Sequence, residues 1–393
     1  MPALYFFPWL SAQAPLKFEQ LTLEPYQRSL RPKEGLSVTL AEIDKLLDFY
    51  RTGPNETIDE CLLVKFDGQS IGDEINDDQR SFLGSFAQLL CCSYLSDREY
   101  FTQYSNYWCA DNFQLHAQGW RNPFDGHVVI SSRRRDGRSL NLTDAEFDAH
   151  YRPHNAAGRS TLQPPSALIQ ALLSCSATDA WPGLYVGISN FNLANTDREL
   201  MTPETEMVLL YGAFQAVFDN VPDQAREHAS LLRSYLGTEG FLIADVISDS
   251  NIKDKLLSRY RQGTPKSLLE IWFDEFRAMR GHFAHGKARD GYPAIWSADN
   301  HLTLGTFLFP LLLKRRLAAM DHYEWSQQDQ ADLACFENLL QYNHFANQWF
   351  ENVRDRHKHP WHRIRKQTVD AIRSKRLYDE LLKHSDAIDR ASD

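Results

Sequence analysis

Two spacings of apolar residues divide the chain. In the first part the apolar positions come in short β-rich pieces, Leu4 to Trp9, Phe18 to Leu23 and Cys61 to Phe66, which predict strands. Between them Leu40, Ile43, Leu46, Leu47 and Tyr50 share one face of a predicted helix over 40–50. A second helix is predicted from about Ile75 to Tyr104, with Phe82, Phe86, Leu89 and Leu90 spaced for burial. Val128 to Arg135 and Arg138 to Leu142 flank Asp136-Gly137, which predicts a hairpin closed by a two-residue turn, since Asp-Gly suits positions that need positive φ. Arg133, Arg134, Arg135 and Arg138 crowd its tip, where they keep a sheet edge soluble or contact phosphate or a partner.

Residues 151–165 are rich in Pro, Gly and small polar residues and show no apolar periodicity, which makes them the predicted boundary. An α+β domain is therefore expected over 1–155. Helical spacing then takes over, beginning at Ser166 to Leu173. Trp181 to Asp197, with Pro182-Gly183 as a turn signal, reads as irregular. Thr202-Pro203-Glu204-Thr205-Glu206 reads as a capped helix start ahead of the apolar run Met207 to Phe218. Further helices are predicted at Val221 to Tyr235, Asn251 to Tyr260, Pro265 to His285, Thr303 to Met320, Gln330 to Val353 and Trp361 to His384. The apolar run Leu302 to Leu313 is too short to span a bilayer and reads as a buried helix. The N-terminus is broken by prolines, lacks a basic leader and reads as a first strand rather than a signal peptide.

Composition adds bounds. The chain has 393 residues, 43% hydrophobic and 24% charged, which fits two or three folded domains and excludes a disordered chain. The net charge of -10 argues against a protein that binds nucleic acid over its whole surface. The charge is uneven, however, with nine Lys/Arg against three Asp/Glu in 351–376. There Arg354, Arg356, Lys358, Arg363, Arg365, Lys366, Arg373, Lys375 and Arg376 alternate with His357, His359, Trp361 and His362, a mixture suited to phosphate contact and base stacking as well as to a solvated helix face. The six cysteines show no C-x-x-C spacing and read as reduced thiols of a cytoplasmic protein, with no metal site and no cofactor expected.

The candidate chemistry lies at Phe273 to Lys287. Leu268, Leu269, Trp272, Phe273, Phe276 and Met279 form the apolar stripe of a helix, with Arg277 and Arg280 towards its polar flank and Gly286 placed to close it. Arg280 and His285 are five residues apart, about 140° around a regular helix, so they can serve one site only if the helix ends at His285. Arg277 and His282 make a second, overlapping Arg-x4-His pair. Read structurally, Arg280 would pair with Glu275 or Asp274, both ordinary surface acids, and His285 would bond a terminal carbonyl.

An amphipathic helix ending in Arg-x4-His-Gly resembles the motif of HEPN domains, and Phe283-Ala284-His285-Gly286 is most similar to their ApeA-like branch. The resemblance covers about 165–325 and implies an all-α HEPN helical-bundle domain there, followed by a basic C-terminal helical extension over 326–393. It departs from the toxin branch, which carries a Tyr where Lys287 stands. The resemblance implies a metal-independent endoribonuclease cleaving RNA or tRNA by 2′-OH attack, in prokaryotic anti-phage, abortive-infection defence. His285 would be the acid/base and Arg280 the phosphate stabiliser, with His282, Arg277 and Glu275 supporting them. Lys287, Arg363, Arg365, Lys366 and Arg373 would contact RNA. A homodimer would complete the site with one Arg and one His from each subunit, and residues 1–155 would sense a phage or host trigger. The alternative is a HEPN-like module that binds RNA or protein without catalysis.

Overall fold

The structure is a computed structural model. It describes residues 3–30, 35–98, 108–120, 128–133, 139–142, 149–153, 161–164, 166–218, 225–236, 268–286, 295–342 and parts of 366–378. The chain is of mixed α/β content: an antiparallel sheet in its first part, helices in its second. It forms two compact units, one of residues 1–99, 104–176 and 195–200, the other of 100–103, 177–194 and 201–393.

In the first unit the N-terminal strand β1 (Ala3–Phe7) lies between β7 (Glu60–Phe66) and β8 (His116–Trp120). With β3 (Leu16–Lys17), β4 (Leu21–Gln27), β9 (Val128–Arg133) and β10 (Ser139–Leu142) they make a seven-stranded sheet in the order β10-β9-β8-β1-β7-β4-β3, antiparallel throughout. Helices lie on both of its faces. Helix α1 (Leu40–Leu47) buries Ile43, Leu46 and Leu47 against Leu4, Phe6, Tyr26, Cys61 and Leu63. Phe18 and Phe66 meet Phe86 and Phe82 of α2 (Asp77–Ser96). Both helices start in capping boxes, Thr39 with Glu42 and Asn76 with Gln79.

The sequence expectations need correction in several places here. Helix α1 stops at Leu47, and Tyr50 opens strand β5 (Tyr50–Gly53). Its burial therefore comes from a strand position, which a helical spacing happens to match. Helix α2 ends at Ser96, where Asp97 caps it. The hairpin β9–β10 pairs Arg133 with Ser139, whereas a two-residue turn at Asp136-Gly137 would set Arg133 opposite Leu140. The register is thus one residue off that expectation. The turn itself, with Arg134, Arg135 and Arg138, lies outside the described residues.

Helix α3 (Ala167–Cys175) packs on α2 and belongs to the first unit, so the compact division falls after Ser176, later than the Pro- and Gly-rich stretch. Residues 195–200 also belong to this unit. They are held by Asp111, whose buried carboxylate accepts from Arg198 Nε at 2.6 Å and from Asp197 N at 3.2 Å. All six cysteines are buried and carry thiols rather than disulfides.

The second unit is built around α5 (Pro203–Val217), which packs against α4 (Trp181–Ala194), α7 (Leu268–Ala284) and α8 (Ala298–Ala319). Helix α6 (Ala225–Leu236) lies on α7 and α8, and so does α9 (Gln327–Tyr342). The start of α5 is as the sequence implies: Thr202 caps it, accepting from Thr205 N, and Pro203 is at the first position.

The stretch expected to be irregular is helix α4. Pro182 stands in its first turn, where a missing N–H costs nothing. Gly187 is there for packing rather than for a turn: a Cβ at this position would sit 3.0 Å from Val217 Cγ2 and 3.1 Å from the Ala213 carbonyl oxygen of α5. Gly305 does the same on α8, where a Cβ would meet Leu210 Cδ2 at 2.8 Å. These close approaches let a stack of aromatic rings form the core, with Phe191 on Phe309 at 4.6 Å and Phe214 edge-on to both Phe273 and Phe309 at 5.5 Å. Among the described residues no helix is long and apolar enough to cross a membrane.

Candidate functional site

Helix α7 is amphipathic for a simple reason: Leu269, Trp272, Phe273, Phe276 and Met279 recur at helical spacing, and all five are buried. Phe283 extends the stripe by another turn. The helix cannot continue past it. Ala284 is the last helical residue, His285 N still reaches Gly281 O at 3.3 Å, and Gly286 turns into the left-handed region with φ +69° and bonds Phe283 O at 2.9 Å. His285 therefore stands at the capped end of α7 with its side chain exposed.

Arg280 is half-buried on the flank of the same helix. Its Nη2 donates to Gln215 Oε1 at 3.2 Å, and its guanidinium carbon lies 5.3 Å from the centre of the Tyr211 ring. Tyr211 and Gln215 are one turn apart on α5, so one face of that helix holds the guanidinium twice, through a cation–π contact and a hydrogen bond. Tyr211 is itself buried, with its hydroxyl 3.4 Å from His228 Nδ1 on α6. Arg277 and His282 are half-buried, and the His282 ring lies edge-on to Phe283 at 5.7 Å.

Glu275 is not a surface acid. It is 1% exposed, and its carboxylate accepts from Ile295 N and Trp296 N at 2.9 Å, with His301 Nε2 at 3.1 Å. An oxygen that already receives backbone N–H groups acts as an acceptor, so the imidazole donates. The His301 ring lies against both Trp272 and Phe276, 5.9 and 5.7 Å from their rings. Glu275 thus ties the segment leading into α8 to α7 and supports the fold around Arg280 rather than pairing with it.

The basic residues fall into two groups. Lys314, Arg315 and Arg316, a basic run at the end of the apolar stretch, are all engaged within the unit. Lys314 Nζ is 2.8 Å from Asp329 Oδ1, Arg315 lies 3.7 Å over Trp325, and Arg316 donates to the Tyr235 hydroxyl at 2.6 Å. Lys366 and Arg373, by contrast, are exposed helical residues. Val369 between them packs on Ala331 and Ala334 of α9, which fixes the inner side of this segment. Lys287, Arg363 and Arg365 lie outside the described residues.

The first unit holds a separate polar cluster. Tyr50 bonds His116 Nδ1 at 3.0 Å and stacks on His150 at 5.0 Å, and the two imidazoles are 5.7 Å apart. Burial and the neighbouring His150 push His116 down to about 4, and burial lowers His150. Burial also raises the Tyr50 hydroxyl above its ordinary range. These are neutral, core-filling groups around neutral pH. A cleft of about 120 Å³ in the same unit is lined by Trp9, Thr52, Glu60 and Arg152, among others.

Nothing in the sequence marks Gln215, Tyr211, His228 and His301 as site residues. Tyr211 and Gln215 sit inside an apolar run that reads as core, and Gln215 meets an arginine 65 positions away, which no local spacing signals. Comparison with family models, curated proteins and solved structures finds no match for this chain.

Proposed function

We propose that the chain is a metal-independent endoribonuclease of the HEPN kind, acting as a cytoplasmic homodimer in prokaryotic defence against phage. The observation that carries the reading is the end of α7. A half-buried arginine is held in a fixed direction, and five residues on a histidine is exposed at a helix end closed by a left-handed glycine. An exposed imidazole is open to a substrate and to a second subunit, and a restrained guanidinium suits the charge that develops on a phosphorane.

The chemistry needs no group beyond these. One His285 takes the proton from a ribose 2′-OH as its oxygen attacks the adjacent phosphorus. The partner subunit's His285 gives a proton to the departing 5′-oxygen, so the proton count is unchanged over the reaction. Arg280 stabilises the equatorial oxygens of the intermediate. The products are a 2′,3′-cyclic phosphate and a 5′-hydroxyl end. Lys366 and Arg373, exposed on the basic extension, would hold the RNA backbone.

The test is incubation of the purified full chain with total RNA in excess EDTA. Cleavage with cyclic-phosphate ends is expected from the wild type, with a loss of about 100-fold or more in His285→Ala and in Arg280→Ala, the range seen for removal of such groups. Full activity in both variants, or no cleavage by the wild type, would overturn the reading.

A further inference from the structure

We infer that Gln215 is a positioning residue for Arg280: with the Tyr211 ring it fixes the plane and direction of the guanidinium presented at the end of α7. The inference rests on the reading of Arg280 as the phosphate-contacting group, but its geometry stands independently.

A guanidinium is a rigid planar fork with five N–H donors, so fixing one end of the plane fixes where the others point. Gln215 Oε1 takes one Nη2 hydrogen at 3.2 Å, and the Tyr211 ring 5.3 Å from the guanidinium carbon restricts its tilt. Both restraints come from α5, the central helix of the unit, and Tyr211 is fully buried with its hydroxyl against His228 of α6. The Tyr211 ring is therefore held as firmly as the core itself. Leu or Ala at 215 would leave the core intact, since Gln215 is only half-buried. A neutral acceptor has a further advantage here. A carboxylate at 215 would hold the arginine equally well but would neutralise the charge that an anionic substrate needs. The amide oxygen orients the cation without itself neutralising it.

The experiment has two readouts on the full chain. The first is the side-chain NMR spectrum of arginine-labelled protein, with Arg280 assigned by Arg280→Lys. Separate, slowly exchanging Nη–H signals are expected in the wild type and in Gln215→Glu, and averaged signals in Gln215→Ala. Averaged signals in the wild type, or no change in Gln215→Ala, would overturn the inference whether or not RNA is cleaved. The second readout is RNA cleavage. Gln215→Ala should lower kcat about 10- to 100-fold with KM within about twofold, because a misaimed group costs the transition state more than substrate binding. Gln215→Glu should lose activity although its arginine stays ordered, a result that a merely structural role for Gln215 would not give. Wild-type rates in both variants, alongside an inactive His285→Ala, would sink the inference and leave the proposed function standing. No cleavage by the wild type, with the expected NMR pattern, would do the reverse.

Discussion

His301 Nε2 and Glu275 Oε1 face each other at 3.1 Å with both side chains wholly shut off from solvent. The same carboxylate takes the N–H groups of Ile295 and Trp296, so these three partners are all donors. Glu275→Gln would turn an NH₂ group towards donors and leave one of them unsatisfied. We expect a loss of about 3 kcal/mol, the scale for breaking a buried charged network. Urea unfolding should show a lower midpoint at unchanged slope. A midpoint within error of the wild type would refute the account of Glu275 as the anchor of the segment before α8.

Two glycines of the helical unit should respond in opposite ways to alanine. Gly281 has open space around its Cβ position, and replacement should stabilise by about 0.5–1 kcal/mol by restricting the unfolded chain. Gly187 faces the Ala213 carbonyl oxygen at 3.1 Å, a backbone atom that cannot swing away, so overpacking should outweigh helix propensity and destabilise by about 1 kcal/mol. Thermal midpoints of the two variants decide it. A rise in both would show that α4 and α5 are not pressed together at Gly187.

Stability should fall in two acid steps. His116 is held near 4 in the fold against an ordinary 6.5, so the unfolded chain takes up its proton first. The loss begins as pH drops below 6.5 and is complete near 4, at about 3 kcal/mol. Asp329 acts in the same direction, at lower pH. Burial alone would raise its carboxyl, but the Lys314 ammonium and the Ser326 hydrogen bonds outweigh this and hold it below its ordinary value. Its contribution is present above the ordinary 3.8 and disappears as pH falls through the lower folded value. Urea midpoints measured between pH 7.5 and 3 should show both. His116→Gln should flatten the first step alone, and a wild-type profile level from pH 6.5 to 4.5 would contradict the buried neutral imidazole.

If the basic extension holds RNA, its exposed cations act through phosphate. Lys366→Ala and Arg373→Ala should each weaken binding about equally for different sequences and lower the slope of log affinity against log salt by about one. His285→Ala should bind as the wild type does. Filter binding across 50–200 mM salt reads this out, and an unchanged slope in the double variant would remove the extension from the RNA surface.

The sequence by itself determined what depends on neighbours a few residues away. The stripe Leu269, Trp272, Phe273, Phe276 and Met279 predicts which face of α7 is buried, and Gly286 predicts where the helix ends, because both follow from helical spacing and local backbone preference. Thr202-Pro203 marks the start of α5 for the same reason. Only the tertiary structure decided what is set by distant partners. Pro182-Gly183 reads as a turn, yet it opens helix α4, which is held by its packing on α5. Glu275 reads as a surface acid until Ile295, Trp296 and His301 surround it. Arg280 alone, seen in the sequence, has no direction. Gln215 and Tyr211 give it one, and they reach it only because α5 and α7 pack side by side.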